Sequence, residues 1–379
     1  MFAPVRALLG PRSQASPGVL AAAGAVALAF AATPFQVPEI AVELDIRLGT
    51  AGLLSAFQVG GFAATTFLAG RLLRPQASIH KIGLVATGTA HLLCVVAPEF
   101  WIVLGLQLLA GIGMGFMTWL SWSEATRHRR GLADVAAVAP LVAAFSSPLL
   151  SWLAGLGSYR VVFGLVGIVT LLIALIPAQY GELPAIGRNV SDSKTNRILL
   201  GALFLLMLAG SAVFVFAAAA GREVAGLSPV VVSIAFSLNA LVGVVATRFT
   251  ARPGTAWLWL SATGLGALGV GLSGSPVVYI VAMIGWGFVF WMGVPAVFLL
   301  LADRSLSPAE RVGDAQSLMA LGRVMGPIVG GILLGAGAFD RLSIAGAVGL
   351  VTGALVVGGV ELARIRLAPH SSAQRASTP

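Results

Sequence analysis

The stretch Ile198–Ala220, ILLGALFLLMLAGSAVFVFAAAA, runs for twenty-three residues without a charge. About 20 apolar residues are enough to cross a bilayer as a helix, and this run shows no period-two alternation of the kind a barrel strand needs. Hydrocarbon supplies no water for backbone N–H and C=O groups, so a spanning segment that is not part of a closed barrel must be a helix. The same reading extends in both directions along the 379 residues. Apolar runs fall near Val19–Pro38, Gly49–Leu72, Lys81–Ala97, Trp101–Ser123, Leu132–Gly155 and Val161–Tyr180 before it, and near Pro229–Thr247, Trp257–Ser273, Val277–Leu301, Gly313–Ala338 and Ser343–Leu362 after it. Twelve spans are predicted, an all-α membrane protein with no separate soluble domain. The composition agrees: 58% of residues are hydrophobic and only 10% charged, against about 25% charged in a soluble domain. The single cysteine, Cys94, lies inside an apolar run and excludes an intramolecular disulfide framework. The first run follows Arg6 and Arg12 as a signal peptide would, but it outlasts an h-region of 7–15 residues and eleven further spans follow, so cleavage is not expected.

Cations near short loops are retained on the cytoplasmic side. With the N-terminus inside, eighteen of the 23 Lys and Arg fall in inner segments, including Arg71, Arg74, Lys81, Arg127, Arg129 and Arg130, whereas only Arg47, Arg160, Arg222 and Arg341 fall outside. Both termini are therefore expected in the cytoplasm of a cell whose inner membrane holds the protein. The net charge of +9 then reports topology and contact with lipid headgroups, not nucleic-acid binding. Arg323 alone belongs to neither side.

The longest polar segment, 181–197, contains Pro184, Gly187 and the turn-forming run Asn189–Asn196. It divides an N-terminal half, 1–180, from a C-terminal half, 198–379, with six spans in each. The halves echo one another about 177 residues apart. Arg71–Pro75 resembles Arg248–Pro253, Ala86-Thr87-Gly88 recurs as Ala262-Thr263-Gly264, and Ser147-Pro148 is answered by Gly326-Pro327. Two similar bundles imply a pseudo-two-fold axis along the membrane normal, with a ligand cavity between them near the midplane.

This pattern resembles the major facilitator superfamily over essentially the whole chain. Gly322-Arg323-Val324-Met325-Gly326-Pro327-Ile328-Val329-Gly330-Gly331 is similar to that family's G-x-x-x-G-P-x-x-G-G pattern, although here it lies in span eleven and its span-five counterpart is reduced to Ser147-Pro148. Pro38–Leu48 with Phe57–Gly70 resembles helices one and two of bacterial efflux members, and Tyr159–Phe163 resembles the W-R-x-x-F start of helix six. The loop pattern after helix two survives as Gly70, Leu72 and Arg74 without its acid, and Gln107 stands where the helix-four pattern has Arg, before Gly111 and Gly113. The resemblance implies two six-helix bundles, alternating access and proton-coupled efflux, an antiporter mode that these two departures weaken. It also implies that helices one, four, seven and ten line the cavity, which points to Gln36, Trp286, Phe290 and Trp291.

Within the spans, Arg323 stands out, about ten residues and roughly 15 Å into its run. A central Arg costs about 2.5–3.5 kcal/mol on insertion scales, so such residues face a cavity or a partner. Two readings stay open: a cavity cation that attracts an anionic or carboxylate-bearing substrate, or a side chain that snorkels or binds helix-end carbonyls. Gln316, Ala320 and Arg323 share a helical face beside the stripe Gly322, Gly326, Gly330 and Gly331, which with Pro327 reads either as a kinked gate or as plain packing. The amides Gln36, Gln58, Gln107, Asn239 and Gln316, with Thr118, must each face protein or water. Each is either a substrate contact or an interhelical hydrogen bond, and Gln107, Gly111, Met114, Thr118 and Trp122 form one stripe of the former kind. For proton coupling the titratable candidates are His91, otherwise a structural histidine, and Glu39, otherwise an exposed loop acid. Asp134 and Asp314 begin spans five and eleven and, with Glu124 and Asp303, read as inner-gate charge pairs with neighbouring Arg residues.

Other classes fit poorly. The four histidines form no H-x-x-x-H or H-E-x-x-H spacing and neither lysine sits in a phosphate-binding loop, so no enzyme, metal site, cofactor or primary pump is expected. A channel would show rings of charge or repeated filter segments. The expected protein is a monomeric carrier, an exporter or alternatively a proton-coupled or facilitative uptake permease of the same fold, whose partners are a small molecule, the lipid and a proton or other ion gradient.

Overall fold

A computed structural model describes residues 16–74, 76–125, 129–156, 158–178, 194–246, 249, 252, 254–302, 308–335 and 338–367. Twelve helical spans run through the described residues. In the first half these are α1 (Pro17–Glu43), α2 (a single turn, Leu48–Ala51, continued by Leu53–Leu72), α3 (Ala77–Val96), α4 (Phe100–Ala125), α5 (Arg129–Gly155) and α6 (Tyr159–Ile173). The second half contains α7 (Lys194–Phe214, continued by Ala217–Glu223), α8 (Pro229–Ala246), α9 (Ala256–Leu272), α10 (Pro276–Ala302), α11 (Pro308–Leu334) and α12 (Phe339–Leu367). Ten are long and apolar enough to cross a membrane; α6 and α9, with 15 and 17 residues, are the shorter two. Tight turns closed by Leu175 N–H to Leu172 and Ile176 N–H to Ile173 carry α6 further. The first run is longer than its sequence pattern predicts, because Pro34 and Pro38 lie inside α1 and do not end it. Proline opens α1, α8, α10 and α11, where its missing N–H has no helical partner to lose. Residues 181–193 of the polar segment lie outside the described residues.

Alternate helices run in opposite directions, so the bundle has two ends. The basic end is where α1 begins; the far end holds Glu43, Arg160 and Arg222. Packing obeys the two-fold relation between the halves. The pairs α1·α5, α2·α4, α3·α4, α3·α6 and α1·α6 recur as α7·α11, α8·α10, α9·α10, α9·α12 and α7·α12. Contacts between halves follow the same operator: α2 packs on α11 as α8 packs on α5.

Lipid tails are as apolar as leucine, so association depends on van der Waals contact between close backbones. Glycines provide that approach. A Cβ on Gly111 of α4 would overlap the Gln58 carbonyl of α2, and one on Gly83 of α3 would lie 2.8 Å from the Gly113 carbonyl of α4. In the other half Gly322, Gly326 and Gly330 lie against Phe204, Ser211 and Ala212 of α7.

Polar clamps close the helix ends. Glu361 of α12, almost fully buried, accepts hydrogen bonds from the Ala256 and Trp257 N–H groups and so caps α9. At the far end Arg160 pairs with Glu43 at 2.7 Å and donates to the Val95 and Ala97 carbonyls that end α3. That arrangement explains the Arg in the Tyr159–Phe163 pattern.

Replacing Gly111 by Ala is expected to lower the thermal midpoint of the purified protein, by an overpacking cost of about 1–3 kcal/mol. Gly105→Ala, where a Cβ meets nothing within 4 Å, should leave it unchanged.

Candidate functional site

The two halves meet most tightly at the far end. Gly49 of α2 and Gly331 of α11 touch backbone to backbone, a Cβ on Gly331 falling 2.5 Å from the Gly49 carbonyl oxygen, and Phe216 of α7 covers Gly52. Ser151 of α5 donates to the Pro229 carbonyl at the start of α8, 2.8 Å away. Glu39 of α1 pairs with Arg222 in the last turn of α7. Below these contacts the rings Phe35, Phe236, Phe214 and Trp286 form a column joining α1, α8, α7 and α10, with successive centroids 5.2, 5.2 and 5.8 Å apart. Between ion pair and column lies a cavity of about 10 Å³, lined by Phe35, Glu39, Ser151, Ala218 and Arg222 among others, room for about one water.

Further toward the basic end the approach of α2 to α11 is looser: a Cβ built on Gly60 would lie 3.9 Å from Val324 Cγ1, an ordinary contact. On α1, the face bearing Leu20, Gly24, Leu28 and Ala31 is half-buried, whereas the opposite face, Ala22, Ala25, Ala29 and Ala32, is closed inside its own bundle.

The faces of α11 locate Arg323. At 100° per residue, Gly322, Gly326 and Gly330 point to α7, while Val324 and Gly331 point to α2. The exposed residues Leu321, Met325, Ile328 and Ile332 form a third, apolar stripe that suits lipid. Arg323 and Gln316 lie in the sector between the α7 and α2 faces, opposite the lipid stripe, and both are exposed. A side chain that is exposed there faces the space between the bundles. Arg323 lies eight residues, roughly 12 Å, from Gly331 along the helix, on the basic-end side of that contact. It has no hydrogen bond or ion pair with any described residue. The geometry is therefore a crevice sealed at the far end, open toward the basic end, with one cation near its closed end.

The remaining predicted residues distribute unevenly. Gln58 and Thr33 are buried together, the Thr33 hydroxyl donating to Gln58 Oε1 at 3.0 Å, which ties α1 to α2. Gln107 is fully buried and its Nε2 donates to Cys94 Sγ at 3.5 Å, so it faces α3. Gln36 lies on the closed face of α1. Asn239 Nδ2 donates to the Met283 carbonyl at 2.7 Å, clamping α8 to α10. The stripe on α4 opens only near the basic end: Met114 is fully buried, Thr118 half-buried and Trp122 exposed. Trp286 belongs to the aromatic column, and Trp291 packs over Gly243, its ring perpendicular to that of Phe290. His91 is enclosed between α3 and α6, its Nδ1 2.9 Å from the Thr87 carbonyl and its ring 5.8 Å from Phe163. Neither His91 nor Gln107 is placed at the crevice. Asp134 is buried at the start of α5. The side chains of Arg127, Arg129, Arg130, Asp303, Arg304, Arg311 and Asp314 lie outside the described residues, so the predicted inner charge pairs that use them do too.

Of the glycine stripe, Gly322, Gly326 and Gly330 pack within their own half, and Gly331 crosses to the other. Sequence reasoning missed the aromatic column and the partner of Glu39. Phe35, Phe214 and Phe236 look like any core aromatics in a chain this apolar. An acid near the end of α1 and a cation near the end of α7, corresponding helices of the repeat, were the available signal for the ion pair.

These features define a polytopic membrane protein of two pseudo-symmetric six-helix bundles around a central crevice. The sequence matches the Major Facilitator Superfamily over residues 19–331, and the chain belongs to that family. No curated protein matches it significantly by sequence. Among solved structures it is similar to a bacterial homologue of the human lysosomal transporter Spinster in an inward-facing, occupied conformation (15% identity, TM-score 0.70, covering 90% of this chain and 96% of that one). It is also similar to a transporter of the POT family in complex with 5-aminolevulinic acid (12%, 0.70, 91% and 95%) and to the human organic anion transporter MFSD10 (16%, 0.63, 94% and 100%). At these identities the likeness is one of fold.

The Glu39–Arg222 pair is partly exposed, at 20% and 37%, so it should contribute only about 0.2–1 kcal/mol to closure of the far end. Glu39→Gln is expected to raise the labelling rate of a Val232→Cys variant, buried behind the pair, by a few-fold, and Arg222→Gln should add nothing on top of it.

Proposed function

We propose that this protein is a secondary active transporter that carries a small organic molecule across the cytoplasmic membrane by rocking halves 1–180 and 198–379 about the crevice, with 181–197 as the cytoplasmic linker. The cation asymmetry of the loops places the basic end and both termini in the cytoplasm, so the conformation described is open inward. Arg323 receives a negatively charged group of the substrate, and Gln316, on the same face, offers it an amide. The observation that carries this reading is the exposure of Arg323 on the inter-bundle face of α11, away from the lipid stripe. A cation that merely snorkelled would stand among the lipid-facing residues.

Export is the proposed direction, supported by the resemblance of α1 and α2 to efflux members. A proton-coupled mechanism has one predicted carboxylate to use at the far mouth, Glu39, where it faces Arg222. Trp286, Trp291, Thr118 and the amides Gln36, Gln58, Gln107 and Asn239 act through the shape of the bundles that frame the crevice. The protein works as a monomer, since each chain builds a whole crevice.

The test is a thermal-shift screen of the purified protein against metabolite and drug libraries, because a ligand that binds only the folded state raises the melting temperature. Hits are expected among organic anions. Arg323→Gln should lose the shift and the flux of those compounds while keeping its ligand-free melting temperature; normal flux by the folded variant would refute the role of Arg323.

A further inference from the structure

Resting on that reading of Arg323, we infer that the substrate is an extended organic anion with a neutral hydrogen-bonding group about 10 Å from its acid group, the two ends being held by Arg323 and Gln316. The two residues are seven positions apart on α11. At about 100° and 1.5 Å per residue they are roughly 20° from eclipsed and about 10 Å apart along the axis. Helical side chains lean toward the N-terminus of their own helix. Both therefore lean toward the basic end, where α11 begins, and the spacing of their polar ends stays close to that of their backbones. Each is exposed in the sector between the α7 and α2 faces, opposite the lipid stripe. Neither has a hydrogen bond or ion pair with any described residue.

A carboxylate seated on Arg323 cannot also touch Gln316 across that distance, so a ligand that uses both must be long. What lies between the two sets the character of its middle. Ala320 stands on the shared face, three positions from Arg323 and four from Gln316, and is half-buried. Across the gap α2 runs antiparallel to α11. Because Gly60 lies against Val324, Ala64, four residues further along α2, comes level with Ala320, and it is exposed. Neither methyl offers a hydrogen bond, so the connecting chain that fits here is slim and apolar, a run of methylenes. At the Gln316 end a primary amide both donates and accepts, and the group that satisfies both functions at once is another amide. The class is an ω-amido carboxylate, or a longer molecule that presents the same two ends at the same separation.

Isothermal titration calorimetry on the purified full-length protein tests this with 8-acetamidooctanoate, whose extended chain matches the spacing, 4-acetamidobutanoate, which is too short, and octanoate, which lacks the amide. Wild type should bind 8-acetamidooctanoate about tenfold more tightly than octanoate, the factor that one well-made hydrogen bond supplies. Gln316→Ala should remove that preference, and Gln316→Asn, which keeps an amide, should retain it. Ala320→Leu, which obstructs the path between the two ends, should weaken 8-acetamidooctanoate several-fold more than 4-acetamidobutanoate. Arg323→Gln should weaken all three compounds alike. Octanoate binding wild type as tightly as 8-acetamidooctanoate, or a preference that survives Gln316→Ala, overturns the second contact, while an Arg323-dependent affinity for all three leaves the anion site standing. Affinities unchanged by Arg323→Gln, or no binding of any of the three to wild type, overturn the anion site and the inference with it.

Discussion

Helices in hydrocarbon gain nothing from hiding leucine from lipid, so what holds this bundle together is the approach of backbones where no side chain intervenes. Gly111 against Gln58, Gly83 against Gly113 and Gly326 against Ser211 set the spacing within the halves, and Gly49 against Gly331 sets it between them. A side chain of even one carbon at most of these positions would force apart the elements that carry the site. The faces of α11 show the consequence. Because its glycines commit one side to α7 and Gly331 with Val324 commits another to α2, the sector between them is left for Arg323 and Gln316.

The same economy separates the packing within the halves from the packing between them. Contacts within each half are glycine-close and reinforced by buried polar links such as Thr33–Gln58, Asn239–Met283 and the Glu361 cap. Among the described residues, contacts between halves at the far end include a backbone touch, a hydroxyl bond, a partly exposed ion pair and stacked rings. Each is weak on its own, an ion pair of this exposure contributing about 0.2–1 kcal/mol. Rigid halves and an exchangeable seam are the mechanical requirement of a rocking carrier.

The twelve spans, the two-fold repeat and the anomaly of Arg323 were legible in the chain because they depend on composition and local periodicity. The glycine-proline pattern of α11 was legible as a stripe, but its direction was not: three of its glycines turn to α7 and one to α2, a matter of helix rotation. The amides divided the same way. Gln58 and Gln107 are equally plausible cavity residues in the sequence, and both are engaged inside the first half, one with Thr33 and the other with Cys94. Glu39 read as a candidate proton carrier, and its partner Arg222 is 183 residues away.

By itself the sequence determined that the chain crosses a membrane twelve times, because hydrocarbon leaves an apolar run of that length no alternative to a helix, and that one cation is stranded at depth. Only the tertiary structure decided which way that cation points. Whether Arg323 meets lipid, a neighbouring helix or water depends on the rotation of α11 against α7 and α2, and that rotation is set by glycine contacts with residues more than a hundred positions distant. The sealing of one end and not the other is likewise invisible in a pseudo-symmetric sequence, since the two-fold repeat writes similar patterns into both halves and the choice of state belongs to how they lean on each other.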